Sequence, residues 1–384
     1  MSHAARARSL VVLIATVAAG CQAPVTDEGA VARSLAEAES CRPCHAAIVA
    51  SYLGTAHFAS TAVADTATVH GSFAPGQNVL QTANPAIAFT MERRPDGLFQ
   101  TARDTVLDLS RSERFGVVVG SGRKGQSYLF WASGVLVQLP VSWLAAPDRW
   151  INSPGYQDGQ VDFDRIIPPR CLECHSTAFR VEQVPTGLRY ADDYQLGISC
   201  QKCHGPGAEH VAWHTANPGA SKAHAIYQPA VAPRQAQLDA CAVCHGGPLK
   251  LTQPAFSYRP GAQFEDHFAR LPEPDSVVPD VHGNQVALLE RSACFTASPA
   301  MTCATCHDVH QSERDPVAMA GKCLACHDAA AHPGASTLGD RLMRECVDCH
   351  MPSRPSMALQ LSGAGAAISY RTHAIAIYPP EVRR

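Results

Sequence analysis

The chain has 384 residues, with 31 Lys and Arg against 34 Asp and Glu, a formal charge of −3 and 17% charged residues. That balance, with no basic stripe or nucleic-acid motif, gives no footing for a nucleic-acid partner, and after the N-terminus no apolar run is long enough to span a bilayer. What stands out is the sulfur and imidazole content, 16 Cys and 18 His.

The N-terminus reads as an export signal. Arg6 and Arg8 precede an apolar run from Leu10 to Ala19 that is too short for a transmembrane helix. The run ends in Val17-Ala18-Ala19-Gly20-Cys21, small residues leading into a cysteine, which resembles the lipobox of bacterial lipoproteins. On that reading residues 1–20 are removed and Cys21 is acylated; the alternative is an ordinary signal peptide that leaves Cys21 free. Gln22, rather than Asp, after the cysteine points towards an outer-membrane anchor, so the expected location is the periplasmic side of the cell envelope. Residues 21–38 are small and polar and read as a flexible tether.

From residue 41 onwards one five-residue unit, Cys-x-x-Cys-His, recurs seven times. Its cysteine pairs are Cys41 and Cys44, Cys171 and Cys174, Cys200 and Cys203, Cys241 and Cys244, Cys303 and Cys306, Cys323 and Cys326, and Cys346 and Cys349. The histidines that follow them are His45, His175, His204, His245, His307, His327 and His350. At this composition chance would supply on the order of 0.03 copies. The spacing lets two thiols add across the vinyl groups of one haem while the adjacent imidazole sits under the iron. Structural zinc uses cysteine pairs two at a time and seven is odd; disulfides within each pair leave every histidine unexplained. Seven covalently bound haem c groups are the expectation. Once Cys21 and the motif cysteines are assigned, Cys294 is left over, and it reads most simply as a small buried apolar side chain.

Residues 39–77 form the first haem segment, with a short helix expected over Ala46 to His57. The long gap before Cys171 reads as β. Ile87 to Glu92 alternates, Arg94-Pro95-Asp96-Gly97 turns into Leu98 to Thr101, and Phe115 to Val119 is a further strand. Tyr128 to Ala132 and Val135 to Leu139 flank Ser133-Gly134 as a hairpin. An antiparallel insert is therefore placed at 78–145, with the Gly120 to Gly125 loop as a plain turn. Residues 146–384 are expected to form a six-haem domain, Pro-rich and loop-like at 246–280, with haems closely packed over 303–350. The fold class that follows is a multihaem cytochrome c: mainly α-helical and irregular chain wrapped around stacked haems, with a small antiparallel β insert.

The motifs and their flanks resemble the multihaem cytochrome c family related to cytochrome c-554, the type often fused to tetratricopeptide repeats. The matching stretches include Ser51-Tyr52 and Thr55-Ala56-His57, Gly120-Ser121-Gly122 before Gln126-Ser127-Tyr128-Leu129, and Ser176-Thr177. Cys200 to His204 followed by Gly205-Pro206-Gly207-Ala208-Glu209-His210, Thr302 to His310, and His350-Met351-Pro352 match as well. The resemblance covers nearly all of the chain after the signal; no repeat region is recognised. It implies an electron carrier more than a catalyst. It also implies that His57, His210, His310 and His373 are distal haem ligands, His310 on a neighbouring haem rather than its own. Of the remaining histidines, His332, His267 and His282 complete the expected set, while His70, His214 and His224 read as surface or packing residues. Methionine is expected as a ligand at one haem at most.

Saturated bis-His haems suit electron transfer, whereas a haem with an open sixth position can bind and transform a small molecule. The expectation is an exported, lipid-anchored heptahaem cytochrome passing electrons between a quinol-linked or cytochrome donor and an acceptor protein. The alternative is a multihaem oxidoreductase with one open haem, acting on a nitrite-like or hydroxylamine-like nitrogen or sulfur compound.

Overall fold

The computed structural model describes residues 38–185, 187–271, 277–313, 315–362 and 367–382. The signal sequence, Cys21 and nearly all of the tether lie outside the described residues.

The best-packed part is a β sandwich. One sheet has four strands in chain order, β2 (Val79–Gln81), β3 (Ile87–Arg94), β4 (Gly97–Asp104) and β5 (Leu109–Arg114). The other has six. In it β1 (Thr61–Val63), β6 (Val117–Val119), β7 (Gly125–Ala132), β9 (Val141–Leu144) and β10 (Arg149–Asn152) follow one another, and β8 (Val135–Gln138) pairs with β7. The alternation at Ile87, Phe89 and Met91 turns those side chains inward, and the register with β4 runs unbroken from Ile87 opposite Asp104 to Arg94 opposite Gly97. They meet Tyr128, Phe130, Val141, Trp143 and Trp150 of the other sheet, together with Phe115 and Leu139 from the segments between strands. Gln100, fully buried, uses both ends of its amide to join the sheets. Its Nε2 donates to the Val141 carbonyl at 3.1 Å and its Oε1 accepts the Val141 N–H at 2.9 Å.

The β7–β8 hairpin is closed by Ser133 and Gly134 with φ of 51° and 82°, the left-handed pair that a two-residue turn requires. The opposite face of the six-stranded sheet carries Val117, Leu129 and Leu136, packed against Leu172, Phe179 and Tyr190. Leu172 lies inside the second Cys-x-x-Cys-His motif, so this face is the seat on which the motif-bearing chain is mounted.

The rest of the molecule is short helices and two-stranded ribbons around the motifs. Its longest helix, Arg234–His245, has 12 residues and ends in the fourth motif. The expectation of a mainly helical molecule is therefore corrected: two substantial sheets and four two-stranded ribbons share the fold with helices that are nearly all one to three turns long. Strand pairing also runs from Thr61 to Asn152, beyond both ends of the insert expected at 78–145. The Pro-rich stretch 246–280 contains a ribbon, Leu249–Leu251 against Phe268–Arg270, anchored by buried Phe264 and Phe268. Two phenylalanines outweigh the loop-forming composition around them.

Candidate functional site

All seven motifs open onto one cavity of about 3230 Å³. Ligand pockets usually span roughly 300–1,000 Å³, and packed interiors leave few voids larger than a water. A space of this size walled by seven Cys-x-x-Cys-His motifs fits several prosthetic groups as large as haem. The donor set fits too. The fifteen cysteines from Cys41 to Cys349 are free thiols, and among the described residues no three His, Cys, Asp or Glu side chains converge on a single metal-ion position.

The motifs are fixed by contacts reaching far along the chain. Tyr52 Oη donates to the Ile198 carbonyl at 2.6 Å, and the Ser60 and Thr61 hydroxyls both donate to the His175 carbonyl, which clamps the first haem segment onto the second and third motifs. Glu173, inside the second motif and 1% exposed, takes an ion pair from Arg170 at 2.8 Å and the Phe256 N–H at 2.6 Å. Arg170 also donates to the Val243 carbonyl at 2.5 Å, so the second motif is tied to the fourth. Thiols of different motifs consequently stand against each other: Cys41 with Cys200, Cys174 with Cys244, Cys241 with Cys303, and Cys323 with Cys346.

The imidazoles show the clearest pattern. Metal–imidazole bonds of about 2 Å, with each ring centre about 1 Å further out, put two rings on opposite sides of one metal roughly 6 Å apart, centre to centre. Five motif histidines face a second histidine at that separation. His45 faces His210 at 6.4 Å and His245 faces His57 at 6.2 Å. His204 faces His310 at 6.2 Å, His307 faces His373 at 6.2 Å and His350 faces His332 at 6.3 Å. His310 thus stands opposite the third motif although it follows the fifth.

Second partners orient several of these rings. Nδ1 of His204, His210 and His350 lies 3.0, 2.8 and 2.9 Å from the carbonyls of Tyr227, His224 and Ala376. His245 Nδ1 lies 2.9 Å from Gln285 Oε1. A ring whose Nδ1–H is held this way presents the Nε2 lone pair, as a metal ligand must. Burial holds His57, His175 and His373 down at about 4, so these rings are neutral at ordinary pH, the form that binds metal.

The other histidines sort as follows. His282 is on the cavity wall, close enough for its charge to act on His175. His267, expected as a ligand, has no motif histidine as a ring neighbour. It binds the Ser257 hydroxyl at 2.8 Å and packs on Tyr258 and Phe268 beside the ribbon, an aromatic setting that sequence spacing does not reveal. His70 packs on Trp143, and His214 and His224 pack on Trp213, with His214 also on the cavity wall 4.6 Å from His210. Cys294, expected to be buried, is instead partly exposed on the cavity wall.

The profile of the family described as "Cytochrome c554 and c-prime" matches residues 154–205, which hold the whole of the second and third motifs. The C-type polyheme cytochrome OmcC of Geobacter sulfurreducens is 23% identical over 229 residues, covering 53% of this chain. The chain spans only 28% of that relative's length. In fold it is similar to the outer cell wall cytochrome OcwA, with a TM-score of 0.53 at 17% identity over 89% of this chain and 79% of that one. An undecaheme cytochrome from the S-layer of Carboxydothermus ferrireducens aligns over 85% of this chain and 52% of its own, at 15% identity and a TM-score of 0.43. Seven attachment motifs around one cavity, opposed imidazoles at the spacing of a shared iron, and this likeness in sequence and fold lead to one conclusion: the chain is a multihaem c-type cytochrome, similar to the cytochrome c-554 family over residues 154–205.

Proposed function

We propose that the chain is a heptahaem electron carrier of the cell envelope, acylated at Cys21, that relays electrons between redox partner proteins. The observation that carries this reading is the set of five opposed imidazole pairs. An iron held by two histidines is saturated and changes only its oxidation state, whereas a catalyst needs an open position. His45, His204, His245, His307 and His350 would hold their haems from one side and His210, His310, His57, His373 and His332 from the other. His282 is assigned to the haem of His175. The haems supply one-electron redox chemistry; the protein fixes their order and keeps water and wrong ligands away.

The thiol contacts support one such order. Cys41 against Cys200 puts the first and third haems side by side, Cys174 against Cys244 the second and fourth, Cys241 against Cys303 the fourth and fifth, and Cys323 against Cys346 the sixth and seventh. With Cys203 within electrostatic reach of Cys241 and Cys306 within reach of Cys323, these pairs would join into one path with the second haem as a side branch at the fourth.

The test is the mass of the purified protein with low-temperature EPR of its oxidised form. Seven haems per chain with predominantly low-spin ferric signals are expected. Fewer haems, or high-spin signals from most of them, would sink the carrier reading. For the anchor, Cys21→Ala should move the protein from the membrane fraction to the soluble one, and retention in the membrane would count against acylation.

A further inference from the structure

The sixth motif shares with the second the lack of an opposed histidine ring among the described residues. Its histidine, His327, has no ring partner among the described residues, although every histidine from His45 onwards is described. Among the remaining imidazoles, His214 lines the cavity with its Nε2 buried and without a hydrogen-bond partner, but it lies 4.6 Å from His210, at the first motif. Ten histidines form the five opposed pairs, and His282, on the cavity wall, packs on Tyr370 at 5.6 Å and lies within electrostatic reach of His175 and His245 rather than of His327. His70 lies on the sandwich against Trp143, with Gly122 packed so closely that a Cβ there would fall 2.2 Å from the imidazole. His267 is held by Ser257, and His214 and His224 lie at Trp213 beside the His45–His210 pair. The nearest histidine in sequence, His332, is turned to His350 and so serves the neighbouring motif. Both Cys326 and His327 are exposed, and the motif belongs to the cavity wall.

We propose that the haem held by Cys323, Cys326 and His327 receives no histidine on its far side and is the one position in the array that takes an exogenous ligand: a small monodentate donor of the carbon monoxide or cyanide type. This rests on the seven-haem reading above. Binding is a simple association in which the donor's lone pair fills the open axial position, and no electron or proton need be exchanged. The consequence is a division of labour, with six haems that only conduct and one, beside the seventh, that can also sense or bind.

The experiment uses the full holoprotein, with carbon monoxide added to the reduced form and the bound gas counted against haem. One CO per chain is expected, together with one high-spin ferric EPR signal before reduction and an iron–histidine stretch in the resonance Raman spectrum of the reduced protein. Cys323→Ser with Cys326→Ser should lower the mass by one haem and the CO count from one to zero. Should that double variant fail to mature, His327→Ala keeps both thioether bonds and should abolish the iron–histidine stretch. No CO uptake and no high-spin signal in the unaltered protein would overturn the proposal while leaving the carrier reading intact. A thioether charge-transfer band in the oxidised protein, marking a methionine as sixth ligand, would do the same. CO binding that survives loss of the sixth haem would also overturn it, by placing the open iron elsewhere, the haem of His175 being first to test. A total below seven haems in the unaltered protein would instead strike at the reading on which this one rests.

Discussion

The sandwich and the C-terminal motif region are held together by different means. Between Thr61 and Asn152 two sheets enclose a core of aromatic and branched side chains, with Phe89, Met91 and Tyr128 at 0% exposure. Beyond Phe295, Ala320 is the only buried apolar side chain among the described residues, prolines aside, yet three of the seven motifs lie there. A segment with so little apolar surface of its own to bury cannot offset the conformational entropy of ordering it. The first region is a conventional hydrophobic fold; the second depends on its prosthetic groups for a core.

This contrast sets the size of the expected effects. Preventing haem attachment altogether should have the largest: residues 300–376 should become open to protease, while fragments spanning 61–152 persist in mass spectra of the digest. Equal protection of both regions would remove the distinction. Next, Phe89→Ala should cost about 3–5 kcal/mol within the sandwich, as large-to-small changes in packed cores do, with the haem spectra unchanged; a melting curve followed by far-UV and by Soret absorbance separates the two. His57→Ala should do the reverse, converting the haem of the fourth motif to high spin and adding one CO site, with only a small shift in the melting point of the sandwich. Smallest of all is Arg42→Ala. Its ion pair with Glu39 at 2.5 Å lies at the surface, and its loss should leave the melting temperature where it was.

The attachment motifs were legible in the sequence because their pattern is local: two thiols and an imidazole within five residues make a complete signature. The strands from Ile87 to Thr101 and the Ser133-Gly134 hairpin were legible for the same reason, since alternation and turn residues are near-neighbour signals. The extent of the sheets was not. β1 is three residues long, and only its partner Val117–Val119, more than fifty residues away, makes it a strand. Helical content was overestimated because a Cys-x-x-Cys-His unit folds as a single turn and stops, as at Cys200–His204 and Cys346–His350. Among the spare histidines, spacing and resemblance pointed to six that lie on the cavity wall and to one, His267, that does not. What no spacing encodes is which ring faces which: His57 meets a motif histidine 188 positions later, and only the folded path brings the two together.

Those long-range pairs have a topological consequence. An iron gripped by His57 and His245, or by His307 and His373, closes a loop in the chain much as a disulfide would, and a closed loop constrains the unfolded state. The tail around His373 is in this sense part of the fifth motif. Cutting the chain after residue 360 would remove no attachment cysteine, yet it would unclip an iron near the middle of the path. Sequence segments and redox centres are therefore not interchangeable units, and a fragment with a full complement of motifs can still be a broken circuit.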